Sequence, residues 1–211
     1  MNWVTTIWQA ISGTSDWMAW NLFLAVVPLV LSVWLFRRSM ARSPLWWVGV
    51  LAFIAFLPNA PYVLTDLIHL VDDIRANGSL LVNTLVVIPK YLVFVLVGFQ
   101  AYVLSLINVG YYLRRHGLSS YILQVELLLH GLSAIGVYLG RFERLNSWYI
   151  VTRPHHVLRS VMENLLDWRP LIFMTIAFVL MALLYWLMKQ VTLAVLLQKR
   201  YATVVQRRSR V

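Results

Sequence analysis

The sequence predicts an all-α, polytopic transmembrane helix bundle of about five spans in a single domain, residues 1–211, with the second span broken at Pro58-Asn59-Ala60-Pro61. Three observations carry this. The chain is 61% hydrophobic and only 12% charged, where a soluble domain has about 25% charged residues. Apolar runs recur at the roughly 20-residue length that crosses a ~30 Å hydrocarbon core. The basic residues gather at the ends of those runs, where they set topology.

The first span is expected over 17–36, between Asp16 and Arg37-Arg38. The second runs over 45–70 and contains the proline motif. The third covers 91–113, preceded by an apolar stub, 80–88, that reads as interfacial, re-entrant or part of the third span. The fourth is 118–139, and the fifth is 171–188 with a continuation open through Val195. Between the last two, Val157, Leu158, Val161, Met162, Leu165 and Trp168 recur at three- and four-residue intervals. That spacing predicts an amphipathic helix over 154–168, lying on the outer surface as a cap. A basic tail follows at 199–211.

The net charge of +10 does not imply nucleic acid, because the bases sit at span ends rather than on one face. With no cysteine in the chain, disulfides and a Cys nucleophile are excluded. Met1 to Ser15 has no basic residue and no long apolar run, so no cleavable signal peptide is expected. The charge pattern orients the bundle. Arg37, Arg38, Arg42, Arg114, Arg115, Lys189 and the five bases of the tail fall on one side, with no acid. The other side mixes six bases with seven acids. The side rich in bases is expected inside, giving a multi-pass protein of a bacterial plasma (inner) membrane with its N-terminus outside and C-terminus cytoplasmic.

The stretch "FLPNAPYVLTDLIHL", residues 56–70, carries the first candidate chemistry. Pro58 and Pro61 lack N–H groups and disfavour helix in the residue before them. Backbone opened there cannot face lipid. Asn59 is expected to cap a new half-helix whose positive end suits an anion. Along it Tyr62, Thr65, Asp66, His69 and Asp73 share one face. Asp66 and His69 are candidate catalytic residues, as an acid/base or hydrogen-bonding pair. The blander alternative is a proline kink whose polar side marks the exit into water. One Asp-x-x-His without a second ligand cluster does not predict a metal site.

The fourth span holds Glu126 and His130 four residues apart, on a stripe that continues through Ser133, Val137 and Arg141. An ionisable residue facing lipid at mid-span costs at least ~2.5 kcal/mol, so Glu126 is neutral and hydrogen-bonded to His130, is paired with another helix, or serves a proton relay with His130. Gly131, Gly136 and Gly140 allow close helix approach. At the end of this span comes "GRFERLNSW", residues 140–148. Arg141, Arg144, Asn146 and Ser147 supply donors suited to a phosphate or carboxylate. Alternatively the two arginines pair with Glu143, Asp66 or lipid head groups, and Asp66 is expected within side-chain reach of Arg141 or Arg144. Trp148 suits an interfacial aromatic belt.

These segments, "LPNAPYVLTDLIHL" and "YLGRFERLNSW", with "NLFLAVVPLVLS" in the first span, resemble the bacterial membrane protein family catalogued as domain of unknown function 1361. The resemblance extends over roughly Asn21 to Tyr185. It implies a small multispanning membrane protein and no particular activity. Its motifs fall on Pro58, Asn59, Pro61, Tyr62, Thr65, Asp66 and His69, and on Tyr138, Gly140, Arg141, Phe142, Arg144, Asn146, Ser147 and Trp148; Glu126 and His130 lie outside them.

The leading expectation is an outer-facing polar pocket binding an anionic amphiphile, a lipid or lipid-linked head group. Asn59, Tyr62, Thr65, Arg141, Arg144, Asn146 and Ser147 would bind it, with Asp66 and His69 for any chemistry. The rivals are a proton-coupled small-solute transporter built on Glu126 and His130, and an accessory subunit of a membrane complex. Membrane lipids are the expected partners, an oligomer or complex is open, and the cofactor is undetermined.

The charge asymmetry makes a direct prediction. A single cysteine replacing Ser209 in this Cys-free chain should resist an impermeant maleimide in intact cells and react after permeabilisation. Labelling in intact cells would invert the topology.

Overall fold

Lipid is the solvent that organises this chain. The computed structural model describes residues 15–38 and 42–208; the amino-terminal stretch 1–14 and the last three positions of the basic tail lie outside them. Large apolar side chains such as Phe23, Leu51, Val93, Ile176 and Leu183 point outward, each more than half exposed. Asp66, Asn108, Glu126, His130 and Ser133 are buried. A water-soluble protein has the opposite arrangement.

Among the described residues, five helical segments are long and apolar enough to cross a membrane: Asp16–Arg38, Pro44–Ala76, Leu80–Arg115, Ser119–Arg141 and Trp168–Lys199. Within them, α1 (Ser15–Val33) ends in a π-helical turn, Trp34–Arg38. The indole Nε1 of Trp46 donates to the Leu35 carbonyl at 3.2 Å, satisfying an acceptor next to that irregularity. Helix α2 (Pro44–Phe56) starts on Ser43, whose hydroxyl accepts from the Trp46 N–H at 3.3 Å, with Pro44 in the first turn, where its missing N–H costs nothing.

The second span is interrupted where the prolines predict, but the chain does not leave the helical basin. A short turn, α3 (Asn59–Tyr62), and the longer α4 (Leu67–Asn77) follow α2. Pro58, Val63 and Asp66 all keep right-handed helical dihedrals. The linking hydrogen bonds are mostly of the tighter i→i−3 kind: Leu64 to Pro61, Thr65 to Tyr62, Asp66 to Val63 and His69 to Asp66, at 2.8–3.3 Å. This narrowed stretch satisfies backbone groups internally, as a membrane interior requires. The expected half-helix capped by Asn59 with its positive end open to an anion is therefore corrected: the N–H groups of Ala60, Tyr62, Leu64, Thr65 and Asp66 are taken by carbonyls.

After Gly78, in a left-handed conformation with φ of 59°, the apolar stub becomes part of the third span. Helix α5 (Leu80–Val82) passes through a π-helical turn, Asn83–Val87, into α6 (Ile88–Arg115). Pro89 falls in the first turn of α6, where proline is tolerated. Helix α7 (Ile122–Arg141) forms the fourth span after a single 3₁₀ turn, Ser119–Tyr121. A one-turn α8 (Tyr149–Thr152) leads to α9 (Pro154–Leu166), the amphipathic helix the spacing predicts. Leu158 and Met162 remain exposed along it, a stripe suited to the interface. Helix α10 (Trp168–Arg208) contains the fifth span and outlasts it.

Helix α6 packs along most of α1, and α7 pairs with α10; α3 touches α1, α6 and α7 together. Glycines make that central contact close. A Cβ on Gly98 of α6 would lie 2.8 Å from Val63 Cγ1, and one on Gly140 of α7 would lie 3.3 Å from the Tyr62 ring. One on Gly136 would overlap the Pro58 ring. The proline motif is thus seated in a small-residue groove. Gly131, by contrast, faces open space.

The seat can be tested by two matched substitutions. Gly136→Ala should destabilise the detergent-solubilised protein by about 1–3 kcal/mol through overpacking. Gly131→Ala should be neutral or stabilise by up to about 1 kcal/mol, as alanine favours helix. Equal thermal unfolding of the two variants would contradict the seat.

Candidate functional site

The two sequence motifs meet at one end of the bundle. Asp66 is only 2% exposed. Its Oδ2 accepts from Asn21 Nδ2 of α1 at 2.9 Å, and its Oδ1 lies 3.5 Å from Arg141 Nη1 of α7. One carboxylate therefore ties the first, second and fourth spans together. The Asn21 bond is short and well formed; the Arg141 contact is at the outer limit of hydrogen bonding. Arg141 keeps 23% of its side chain exposed. Among the described residues its remaining guanidinium N–H groups make no hydrogen bond.

Asn59 does not cap a half-helix with its side-chain oxygen. Pro58 occupies the cap position, and the Asn59 amide instead donates to the Phe56 carbonyl and to Ser147 Oγ, both at 2.9 Å. The physical reason is that Phe56 lies beside the proline break, where its carbonyl needs another donor. Ser147 is thereby clipped to the second span. Thr65 bonds back to the Tyr62 carbonyl at 2.7 Å, and the Tyr62 ring lies over Gly140. The His69 ring packs against Trp17 with centroids 5.1 Å apart. One helical turn past His69, Asp73 accepts from the Tyr91 hydroxyl at 3.0 Å.

Arg144 is exposed, and it holds a left-handed φ of 52°, a rare conformation for a side chain with Cβ. It turns the chain just after α7. Asn146 and Trp148 are exposed beside it. Of the candidate binding residues, Asn59, Tyr62, Arg141 and Ser147 line the contact between the two motifs; among the described residues Thr65 bonds only within its own segment, and Arg144 and Asn146 are exposed in the loop after α7.

Glu126 and His130 lie elsewhere. Glu126 is separated from Arg141 by about 22 Å of α7, and so cannot join the Asp66 cluster. Glu126 Oε1 accepts from the Tyr185 hydroxyl and from Lys189 Nζ of α10, both at 2.6 Å. His130 Nδ1 shares a 2.7 Å hydrogen bond with the Tyr102 hydroxyl of α6, which also reaches Ser133 at 3.4 Å. The rings of His130 and Tyr185 lie 4.9 Å apart, so the two groups are neighbours without a direct hydrogen bond between Glu126 and His130 among the described residues. Among the same residues no three of His, Asp and Glu converge on a potential metal position.

Sequence reading misses Asn21, Tyr185 and Lys189 as partners. Asn21 carries a signal, being an amide inside the first apolar run; Lys189, one helical turn beyond Tyr185, carries another. Neither signal names its partner.

Fold and site together define a polytopic α-helical membrane protein with buried polar clusters at two levels. Comparison with protein families makes this specific. The family described as "Protein of unknown function (DUF1361)" matches residues 20–184, and the chain belongs to that family. No curated protein and no solved structure matches it. The matched range spans both motifs and the Asn21, Asp66 and Arg141 contacts.

The unequal contacts of Asp66 predict unequal costs. Asp66→Leu should lose about 3–5 kcal/mol, because Asn21 and Arg141 are left facing an apolar side chain. Arg141→Gln should cost less, about 1–2 kcal/mol, since the 3.5 Å contact it removes is at the outer limit of hydrogen bonding and the glutamine amide can still donate to the carboxylate. Chemical or thermal unfolding in detergent distinguishes them, and the reverse order would remove Asp66 as the anchor.

Proposed function

We propose that this membrane protein binds the head group of an anionic amphiphile, a lipid or lipid-linked molecule, where its two motifs meet. One observation carries the reading. Arg141 sits beside a buried carboxylate yet commits only one long contact to it, leaving guanidinium donors for a phosphate or carboxylate. Exposed Arg144 and Asn146 extend the donor set outward, and exposed Trp148 beside them is the residue type that favours the membrane–water interface. The apolar stripe of α9 keeps this face against the membrane surface.

Because Asn59 and Ser147 bond to each other, their part is to hold the loop after α7 against the second span, while Arg141 and Arg144 hold the anion. Tyr62 shapes the contact from the second span. Any acid/base step would use Asp66 and His69. The charge asymmetry supports placing this face outside a plasma membrane, with the C-terminus cytoplasmic.

A second reading, proton-coupled transport of a small solute, is favoured by the adjoining Glu126–Lys189–Tyr185 and His130–Tyr102 groups inside the bundle. The readings part at the motif face. With photoactivatable phosphatidylglycerol in nanodiscs, cross-links to the 141–149 segment should fall about tenfold in Arg144→Gln, the equivalent of one charge-assisted contact. Glu126→Gln should leave them unchanged. Undiminished labelling in Arg144→Gln would overturn the head-group reading.

A further inference from the structure

The opposite end of the bundle carries a second set of charges that the motif face does not use. A cavity of about 400 Å³ opens between α6, α7 and α10, lined by Arg37, Arg114, Glu126 and Lys189 and walled by Leu193, Leu196 and Leu197. Its charges do not cancel. Lys189 is paired with Glu126 at 2.6 Å, the one acid in the lining. Arg37 and Arg114 form no ion pair among the described residues.

Arg37 is preorganised. Its Nε donates to Asn108 Oδ1 at 2.7 Å, and Asn108 in turn donates to Ser32 at 2.9 Å. Its guanidinium lies 4.0 Å from the centroid of the Tyr111 ring. These contacts leave the terminal nitrogens free to meet a ligand while fixing the plane of the fork. Arg114 is exposed at the end of α6. Lys189 uses one donor on Glu126 and has others remaining. Beyond the cations, Leu196 and Leu197 are exposed on α10. The cavity thus offers positive charge at its helix-end side and hydrocarbon along its wall.

We infer that this cavity is a second lipid site, taking the phosphate of an anionic phospholipid from the leaflet opposite the motif face. The phosphate sits between Arg37 and Arg114, with Lys189 behind, and an acyl chain lies along the leucines of α10. Paired guanidinium forks match phosphate oxygens, and a basic pocket between transmembrane helices is the setting in which such head groups bind. Two uncompensated cations select against a zwitterionic lipid, whose ammonium group they would repel. The site is independent of the one at Arg141, being built from other residues at the far end of α7.

The test uses the full chain in nanodiscs with photoactivatable phosphatidylglycerol or photoactivatable phosphatidylcholine, and maps cross-linked peptides by mass spectrometry. Phosphatidylglycerol should label the 193–197 segment, and phosphatidylcholine should label it about tenfold less. Arg114→Glu, at an exposed position chosen to preserve folding, should remove that labelling and spare the 141–149 segment. Arg37→Gln, the second variant, should reduce it, with a melting curve confirming that the bundle is intact. Equal labelling by the two lipids, or labelling unchanged in Arg114→Glu, would overturn the site. Full displacement of the lipid by inorganic phosphate would overturn the lipid assignment in favour of a free anion.

Discussion

The rest of the structure depends on placing one carboxylate, Asp66, inside a bundle whose solvent is lipid. An unpaired charge there is costly, so its partners must arrive from other helices. Asn21 comes from the first span and Arg141 from the fourth. Meeting them requires the second span to approach both at once. The proline motif makes this possible by tightening the helix between Pro61 and His69. The glycines of α6 and α7 make room for Val63, Pro58 and Tyr62. Break, seat and carboxylate are one arrangement: each is energetically unfavourable without the other two.

The same principle explains why the polar groups occur at two separate levels. Glu126 is too deep to reach the Asp66 cluster, so it is satisfied by Tyr185 and Lys189 on α10. His130 turns to Tyr102 on α6. Between these levels the helices meet through apolar contacts, among them Leu129, Ala134 and Val137. The lower cluster holds the third, fourth and fifth spans together; the upper one holds the first, second and fourth. Each level retains cationic groups not fully used by the protein, Arg141 with Arg144 above and Arg37 with Arg114 below. Binding readings rest on those residual donors rather than on the buried acids.

The sequence by itself determined the class of fold, because span length and charge placement are set by bilayer thickness and by the cost of moving bases across it. It also located the interruption in the second span, since a proline removes its own N–H wherever it stands. It marked Asp66, Glu126 and Arg141 as residues that need partners. The pairing of Asp66 with Arg141 was among the possibilities the sequence offered; what only the tertiary structure decided is the choice of Asn21 for Asp66 and of Tyr185 and Lys189 for Glu126. Asn21 and Lys189 are far from them along the chain, and a hydrogen bond across helices depends on rotation and height that no local periodicity encodes. The form of the break was decided there too. Local rules allowed a half-helix capped by Asn59, but the stretch seated against Gly98, Gly136 and Gly140 is a tightened helix in which the N–H groups of Leu64, Thr65 and Asp66 reach carbonyls, and Asn59 is drawn to Phe56 and Ser147 instead of capping. Burial in lipid makes an unsatisfied backbone group expensive, so a tertiary arrangement that pairs such groups prevails over the local preference.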